Sequence, residues 1–148
     1  LSREFGERVL YAGSGTGNSG HYYLDRDGSV VLYVRPERIA NHVRGYNPRS
    51  VGIELVNTGR YPHWRDSKHQ VMEEPYPDAQ IEALIGLLQQ LQAQLPALHY
   101  IAGHEDLDTE QETAVDDPTV LVPRKRDPGP LFPWTRVMES VKLARLKP

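Results

Sequence analysis

The sequence of 148 residues contains no cysteine and no long apolar run. The absence of cysteine excludes disulfide bonds, thiolate zinc ligands and a cysteine nucleophile. No apolar stretch approaches the roughly 18 residues of a membrane-spanning helix, so we expect no embedded segment. An excess of one charge is also missing, since 17 basic and 20 acidic residues give a formal net charge of -3. Dedicated nucleic-acid-binding proteins are usually strongly basic, so this class is not expected.

The apolar pattern that is present predicts a single α/β domain with a mixed central sheet flanked by helices. Short apolar runs predict strands at 21–24, 30–34, 50–56 and 99–103, the first two joined as a hairpin by Asp27-Gly28. Helical spacing predicts one helix over 78–95, and a last helix that opens at Pro133-Trp134 and carries Val137, Met138, Val141 and Ala144. The Gly/Ser-rich segment 12–20 predicts a flexible loop.

An acidic segment separates the fourth strand from the basic stretch at 124–126. Residues 105–123 contain seven acidic side chains and no lysine or arginine. The segment shows no apolar periodicity before residue 120, so we predict a long surface loop. Loops of this length are uncommon and are often functional, although a solvated insertion without chemistry is the simpler interpretation.

Three polar residues lie at positions where a polar side chain requires an explanation. Glu54 interrupts an apolar strand, and a lone buried carboxylate is costly, so it faces either a polar partner or water at a strand edge. His104 follows the fourth strand, at the end where sites in α/β folds usually form, but a lone histidine there is more often structural. Asp127 precedes Pro128 and Pro130, which fix the backbone direction after it, or it belongs to a plain turn.

Several strings of residues together resemble one known family. They are Gly-His-Tyr at 20–22 with Asp-Gly at 27–28, Asn-His at 41–42 before Asn47, Ser-Val-Gly-Ile-Glu-Leu at 50–55, Gly-His-Glu-Asp at 103–106, Arg-Lys-Arg-Asp-Pro-Gly-Pro at 124–130 and Phe-Pro-Trp at 132–134. In this order they resemble the type 2 zinc N-acetylmuramoyl-L-alanine amidases. The resemblance implies the mixed α/β fold shared with peptidoglycan-recognition proteins.

The resemblance also implies a reaction, a cofactor and site residues. The family hydrolyses the amide between N-acetylmuramic acid and L-alanine in peptidoglycan or muropeptides, with one bound Zn²⁺. By position, His104 and Asp127 match the zinc ligands of the family. Glu54 and Lys125 match its catalytic groups. His42 and Asn47 match residues that line its substrate groove. These residue types suit the chemistry, because zinc binds imidazole nitrogen and carboxylate oxygen and keeps one position open for water.

The family's first histidine ligand has no counterpart here, because no histidine precedes His21. A catalytic zinc site usually has three protein ligands. We expect that the sequence lacks an upstream segment that carries the first strand and its histidine. Alternatively, His21 or His42 is recruited as a ligand, or the protein binds peptidoglycan without cutting it. The acidic segment 105–123 is a second departure, interpreted as an insertion between His104 and Asp127.

Two functions from different classes therefore compete. Retention of Glu54, Lys125 and Asp127 favours the amidase, because a pure binding module has no need of them. The missing histidine favours a peptidoglycan-binding module of the same fold. Family members act in the cytoplasm, in the periplasm or in phage lysis, and we favour the cell envelope, periplasmic or secreted.

Overall fold

A computed structural model describes residues 19–148. Its residues form two compact units, one made of residues 19–56 with 77–84 and the other of residues 57–76 with 85–148. The Gly/Ser-rich segment predicted at 12–20 lies outside the described residues, apart from Ser19 and Gly20. In the described part, no helix is long and apolar enough to cross a membrane. The single domain expected for 1–148 stays a prediction.

A three-stranded mixed sheet lies in the first unit. Its central strand is β1 (Tyr22–Leu24), which pairs antiparallel with β2 (Val30–Leu32) and parallel with β3 (Ile53–Leu55). The turn between β1 and β2 contains Gly28 at φ 90°, a backbone conformation that glycine adopts without strain. The predicted hairpin, the third strand and the mixed α/β class are therefore confirmed.

Buried residues of both kinds, apolar and polar, hold the first unit together. Leu24 and Ile81 are completely buried, and Ile81 lies on α1 (Asp78–Gln94), the helix predicted over 78–95. Gln80 is also completely buried, and its Nε2 donates hydrogen bonds of 3.0 Å to the carbonyls of Leu24 and Val56. The first turn of α1 is thereby fixed to the ends of two neighbouring strands.

The second unit contains two two-stranded sheets and short helices, besides residues 85–94 of α1. Its other elements are β4 (Tyr100–Ile101), α2 (His104–Leu107), β5 (Gln111–Thr113), β6 (Leu121–Pro123), α3 (Trp134–Ser140) and β7 (Ala144–Arg145). Strand β4 pairs in parallel with β7, and β5 pairs antiparallel with β6. The predicted strand at 99–103 is thus present but shorter, and His104 begins a helix.

The acidic segment 105–123 is not the irregular loop that we predicted. It contains most of α2 and the β5–β6 hairpin. Arginines from outside the segment compensate its charge, since Arg65 Nε lies 3.4 Å from Glu112 Oε2 and Arg124 pairs with Asp108. These pairings join residues distant in the chain, so the local composition carried no sign of them. Whether the segment is an insertion stays a prediction.

The last helix is shorter than predicted. Helix α3 ends at Ser140, and Val141 has an extended backbone with φ -131° and ψ 159°. Ala144, which the helical spacing placed on the apolar stripe, lies in β7, where its N–H donates to the carbonyl of His99 at 2.9 Å. Hydrogen bonds to β4 therefore override the helical spacing of this segment.

We expect Gln80→Leu to lower the free energy of unfolding by about 2 kcal/mol, because the change leaves buried carbonyl groups without their donor. The two side chains have similar volumes, so loss of packing contributes little. Urea denaturation measures the change. The control Gln90→Leu changes an exposed residue of the same helix and should leave stability within about 0.5 kcal/mol. Equal effects of the two substitutions would contradict this assignment.

Candidate active site

His104 and Asp127 lie together in the second unit, as the resemblance implied. The Nδ1 of His104 is 3.2 Å from Asp127 Oδ2, across 23 residues of sequence. The His104 side chain is 17% exposed, whereas that of Asp127 is 53% exposed. The carboxylate of Asp127 is thus accessible to solvent, whereas the imidazole of His104 beside it is largely shielded.

The spacing of these two atoms fits two ligands of one zinc ion. Zinc–nitrogen and zinc–oxygen bonds of about 2.0–2.2 Å in a tetrahedral arrangement place two donors roughly 3.4 Å apart. The observed separation of 3.2 Å is close to that edge. The other ring nitrogen of His104 is buried and has no hydrogen-bond partner among residues 19–148. The pair therefore fits as part of a ligand set.

Within residues 19–148, no third metal-binding side chain lies beside His104 and Asp127. No group of three His, Cys, Asp or Glu side chains in this part of the chain could hold a metal ion. His21, one of the proposed substitutes, is completely buried. Its Nδ1 accepts a hydrogen bond from Gly52 N at 2.9 Å, and its Nε2 therefore donates to the carbonyl of Arg38 at 2.7 Å. Both nitrogens are occupied, which excludes His21 as a ligand in this structure.

Two hydrogen bonds hold the backbone on which Asp127 lies. Glu105 N donates to the carbonyl of Asp127 at 3.0 Å, and the hydroxyl of Tyr76 donates to the carbonyl of Pro128 at 2.7 Å. Burial raises the pKa of Tyr76, and the negative charge of Asp127 raises it further. The hydroxyl therefore stays protonated and remains a donor.

A second set of contacts holds the start of α2, which carries His104. Asp106 Oδ2 accepts a hydrogen bond of 3.0 Å from Gly103 N, which caps the helix. Arg145 lies 3.3 Å from the same oxygen, and its guanidinium stacks on the ring of Trp134 at 3.8 Å. Strand β7 therefore supports α2 through a charged and aromatic contact.

Lys125 and Asp127 line a cavity of about 370 Å³ in the second unit. Arg60, in the same wall, donates hydrogen bonds to the carbonyls of Pro123 at 2.8 Å and Arg124 at 3.3 Å. These bonds fix the backbone immediately before Lys125. Arg60 is thus a structural cation of the cavity wall.

The charge state of Asp127 follows from its neighbours. Burial works against ionisation of the carboxyl group, but the hydrogen bond and the charge interaction with His104, with a smaller contribution from Lys125, outweigh it. The pKa of Asp127 therefore lies below its ordinary value. The carboxyl group is ionised at neutral pH, the form in which carboxylates bind metals.

Glu54 belongs to the first unit, on β3, where it lies in register with Tyr23 of β1. It is partly buried, and a Cβ placed on Gly20 would lie 3.0 Å from its Cγ. Burial raises the pKa of Tyr23, the hydrogen bond from Gly20 N lowers it, and the charge of Glu54 raises it. The carboxylate therefore has polar neighbours in an otherwise apolar strand.

His42 and Asn47, which the resemblance assigns to substrate binding, make internal contacts in the first unit. Asn47 Oδ1 accepts hydrogen bonds from the backbone N–H groups of His42 at 2.9 Å and Val43 at 2.8 Å. The ring of His42 packs on Gly52, where an added Cβ would come within 2.4 Å of it, and its Nε2 is 3.3 Å from Ser50 Oγ. Their role in substrate binding stays a prediction.

The residues that position His104 and Asp127 could not be identified from the sequence. Glu105 stands in the quoted Gly-His-Glu-Asp string, but its contact with the Asp127 backbone is not visible in that string. Arg60, Tyr76 and Arg145 belong to stretches without a recognised pattern, so no signal distinguished them. Only the folded contacts identify these residues.

Comparison with known proteins identifies the family to which the chain belongs. The model of the N-acetylmuramoyl-L-alanine amidase family matches residues 3–130, and the chain belongs to that family. It is 36% identical over 122 residues to the 1,6-anhydro-N-acetylmuramyl-L-alanine amidase AmpD of Enterobacter cloacae, an alignment that covers 76% of this chain and 51% of the relative. The chain therefore spans about half the length of that relative.

Two further relatives are a bacterial amidase and a phage endolysin. The E. coli amidase AmiD, solved with the substrate anhydro-N-acetylmuramic acid-L-Ala-D-γ-Glu-L-Lys, superposes with a TM-score of 0.65 at 26% identity, covering 90% of this chain and 52% of that one. An endolysin of Klebsiella phage KP32 is 33% identical over 85 residues, which are 57% of this chain and 52% of the relative.

We expect Asp108→Asn to lower the free energy of unfolding by about 3 kcal/mol, because it leaves the largely buried Arg124 without its main partner. Asp108 is 5% exposed, and the pair fixes the hairpin that leads to Lys125. The control Glu110→Gln removes an exposed carboxylate 3.4 Å from the same arginine and should cost less than about 1 kcal/mol. Urea denaturation of both variants measures the difference, and equal losses would contradict this account of the hairpin.

Proposed function

We propose that this protein hydrolyses the amide between N-acetylmuramic acid and L-alanine in peptidoglycan or muropeptides. The observation that carries the proposal is the 3.2 Å approach of His104 Nδ1 to Asp127 Oδ2 in a chain of the amidase family. The two residues match the family's ligand positions and have the spacing of two ligands on one metal ion. Muropeptide substrates named for the relatives have the same amide bond.

We propose Zn²⁺ as the cofactor, with His104 and Asp127 as two of its ligands. Among residues 19–148, no third His, Cys, Asp or Glu side chain joins this pair. When bound, zinc lowers the pKa of a water molecule and polarises the carbonyl of the amide. The lowered pKa of Asp127 favours this role, because the ligand is already ionised at neutral pH.

Glu54 and Lys125 are proposed as the catalytic groups. The carboxylate of Glu54 accepts a proton from the attacking water as its oxygen bonds to the lactyl carbonyl carbon. The same carboxyl group then gives the proton to the L-alanine nitrogen when the C–N bond breaks. The ammonium group of Lys125 stabilises the negative charge on the carbonyl oxygen. The products are a lactyl carboxylate and a peptide with a free amino terminus.

One observation favours the second candidate, a peptidoglycan-binding module without catalysis. Among residues 19–148 the two donors have no third companion, and a catalytic zinc site usually has three. A binding module would keep the groove and need no metal. For either function we propose the cell envelope, where peptidoglycan lies, as the location.

We expect the purified protein, after loading and dialysis, to retain about one zinc ion per chain, as a catalytic zinc site does. Removal of a residue that hydrogen-bonds a metal ligand lowers metal affinity about 10–100-fold. Removal of the ligand itself, in His104→Ala or Asp127→Ala, should therefore lower zinc affinity by more. Elemental analysis and competition with a chromogenic chelator measure the content and the affinity. The control His99→Ala changes an exposed histidine and should keep the metal. Absence of zinc from the loaded wild type would exclude the hydrolase for this chain.

We expect Glu54→Gln to keep zinc while its kcat falls at least about 100-fold, because the amide cannot accept the proton of the attacking water. The product assay is chromatography of peptide released from a disaccharide–tripeptide. The variant keeps the shape of the side chain, so unchanged zinc content and thermal unfolding would exclude a folding defect. Full activity of Glu54→Gln would show that Glu54 is not the base.

A further inference from the structure

No polar contact in the described part of the chain holds the ammonium group of Lys125. The residue is partly buried and lines the cavity beside Asp127, yet no hydrogen bond or ion pair among residues 19–148 involves its side chain. A lysine side chain is a flexible stem that carries about 2 kcal/mol of rotamer entropy. The position of the ammonium group therefore depends on where the backbone places the residue.

The backbone that leads into Lys125 is held from two sides. On one side, Arg124 N donates to the carbonyl of Glu110 at 2.8 Å, which continues the pairing of β5 with β6. On the other side, Arg60 donates from Nη1 to the carbonyl of Pro123 at 2.8 Å and from Nη2 to that of Arg124 at 3.3 Å. The second carbonyl belongs to the peptide group that ends at the Lys125 nitrogen. One planar guanidinium thus binds two successive carbonyls and restricts rotation of that peptide group.

The guanidinium of Arg60 is itself held in place. Its Nη1 donates to Gln70 Oε1 at 2.6 Å, and its central carbon lies 5.8 Å from the centre of the Trp64 ring. The amide of Gln70 in turn donates to the carbonyls of Trp64 at 2.7 Å and Asp66 at 2.8 Å. Contacts within its own segment therefore orient the guanidinium toward the backbone that it binds.

The segment that carries Arg60 has other attachments to the β5–β6 hairpin. Ser67 N and Oγ donate hydrogen bonds of 2.8 and 2.6 Å to the two carboxylate oxygens of Asp116. The N–H of Val115 donates to the carbonyl of Arg65 at 2.9 Å. Because these bonds do not involve Arg60, loss of its contacts should leave the segment attached and release only the backbone that leads into the lysine.

The proposed metal ligand Asp127 has supports of its own. Glu105 N binds its carbonyl, and the hydroxyl of Tyr76 binds the carbonyl of the next residue. Neither bond involves Arg60. A change of Arg60 should therefore displace Lys125 while the metal ligand keeps its place.

We propose that Arg60 is the positioning residue of Lys125. By binding the two carbonyls that precede the lysine, it holds the ammonium group where negative charge develops on the carbonyl oxygen of the amide. A charge held in place before the reaction stabilises the transition state more than a mobile one, because it needs no reorganisation. The inference rests on the proposed amidase function and adds to it a residue that acts through Lys125.

The first test is Arg60→Lys, which keeps the positive charge and removes the paired donors. A displacement of about 1 Å in a catalytic site can cost about 100-fold, so we expect kcat on a disaccharide–tripeptide to fall at least about tenfold. An effect confined to the transition state leaves KM unchanged within about twofold. Zinc retention should also be unchanged. Chromatography of released peptide and elemental analysis measure these quantities.

The matched control is Arg65→Lys. Arg65 belongs to the same segment and binds the hairpin through Glu112 at 3.4 Å and the carbonyl of Thr113 at 3.2 Å, but it binds neither carbonyl before Lys125. Its replacement should lower the thermal stability and keep the wild-type kcat. Loss of attachment to the hairpin is thereby separated from loss of the lysine position.

A double-mutant cycle distinguishes positioning from a general structural role. Lys125→Ala should lower kcat about 100-fold, as removal of one donor to an oxyanion does. Because Arg60 acts through Lys125, adding Arg60→Lys to that variant should change kcat by less than about twofold. Gln70→Met leaves Arg60 intact and removes its acceptor, so it replaces Arg60→Lys in the same cycle if that variant does not fold.

The outcomes separate this inference from the proposed function. A wild-type kcat in Arg60→Lys, or the same fold loss with and without Lys125, would overturn the positioning role and leave the amidase intact. Equal losses of kcat in Arg60→Lys and Arg65→Lys would overturn it as well, because the effect would then follow from the attachment of the segment. If the wild type releases no peptide, the amidase and this inference both fail.

Discussion

The approach of His104 to Asp127 is the contact on which the account of the second unit depends. It joins the start of α2 to the loop after β6. Neighbouring hydrogen bonds stabilise both the segment that carries His104 and the segment that carries Asp127. Glu105 holds the carbonyl of Asp127, and Asp106 caps the turn that carries His104. A metal site needs its ligands fixed within a few tenths of an ångström, because zinc tolerates only a narrow range of bond lengths. The surrounding hydrogen bonds supply that rigidity before any metal binds.

Charge pairing in the second unit shapes the space beside this contact. Arg124 pairs with Asp108 next to the β5–β6 hairpin, and Arg60 binds the carbonyl groups of Pro123 and Arg124 at the end of β6. Arginines that would otherwise attract any anion are thereby used as structure. Lys125 and Asp127 line the cavity beside these pairs.

The sequence predicted the local elements better than the long-range contacts. The hairpin, the third strand and the helix at 78–95 were predictable, because their spacing and turn residues are local signals. The β5–β6 hairpin was not, because arginines outside 105–123 compensate its acidic residues. Helical spacing at the C terminus failed for the same reason, since Ala144 bonds to a distant strand. The motif strings located His104 and Asp127, whereas the residues that hold them have no local pattern.

The central claim is that the protein cuts the bond between the lactyl group and L-alanine. Mass spectrometry of an anhydro-disaccharide–tripeptide incubated with the zinc-loaded protein tests it most directly. We expect two products, the free anhydro-disaccharide and an intact tripeptide with an amino-terminal alanine. Treatment with a chelator should abolish the formation of both. Saturable binding of the muropeptide with no released peptide would contradict the claim and identify the protein as a binding module.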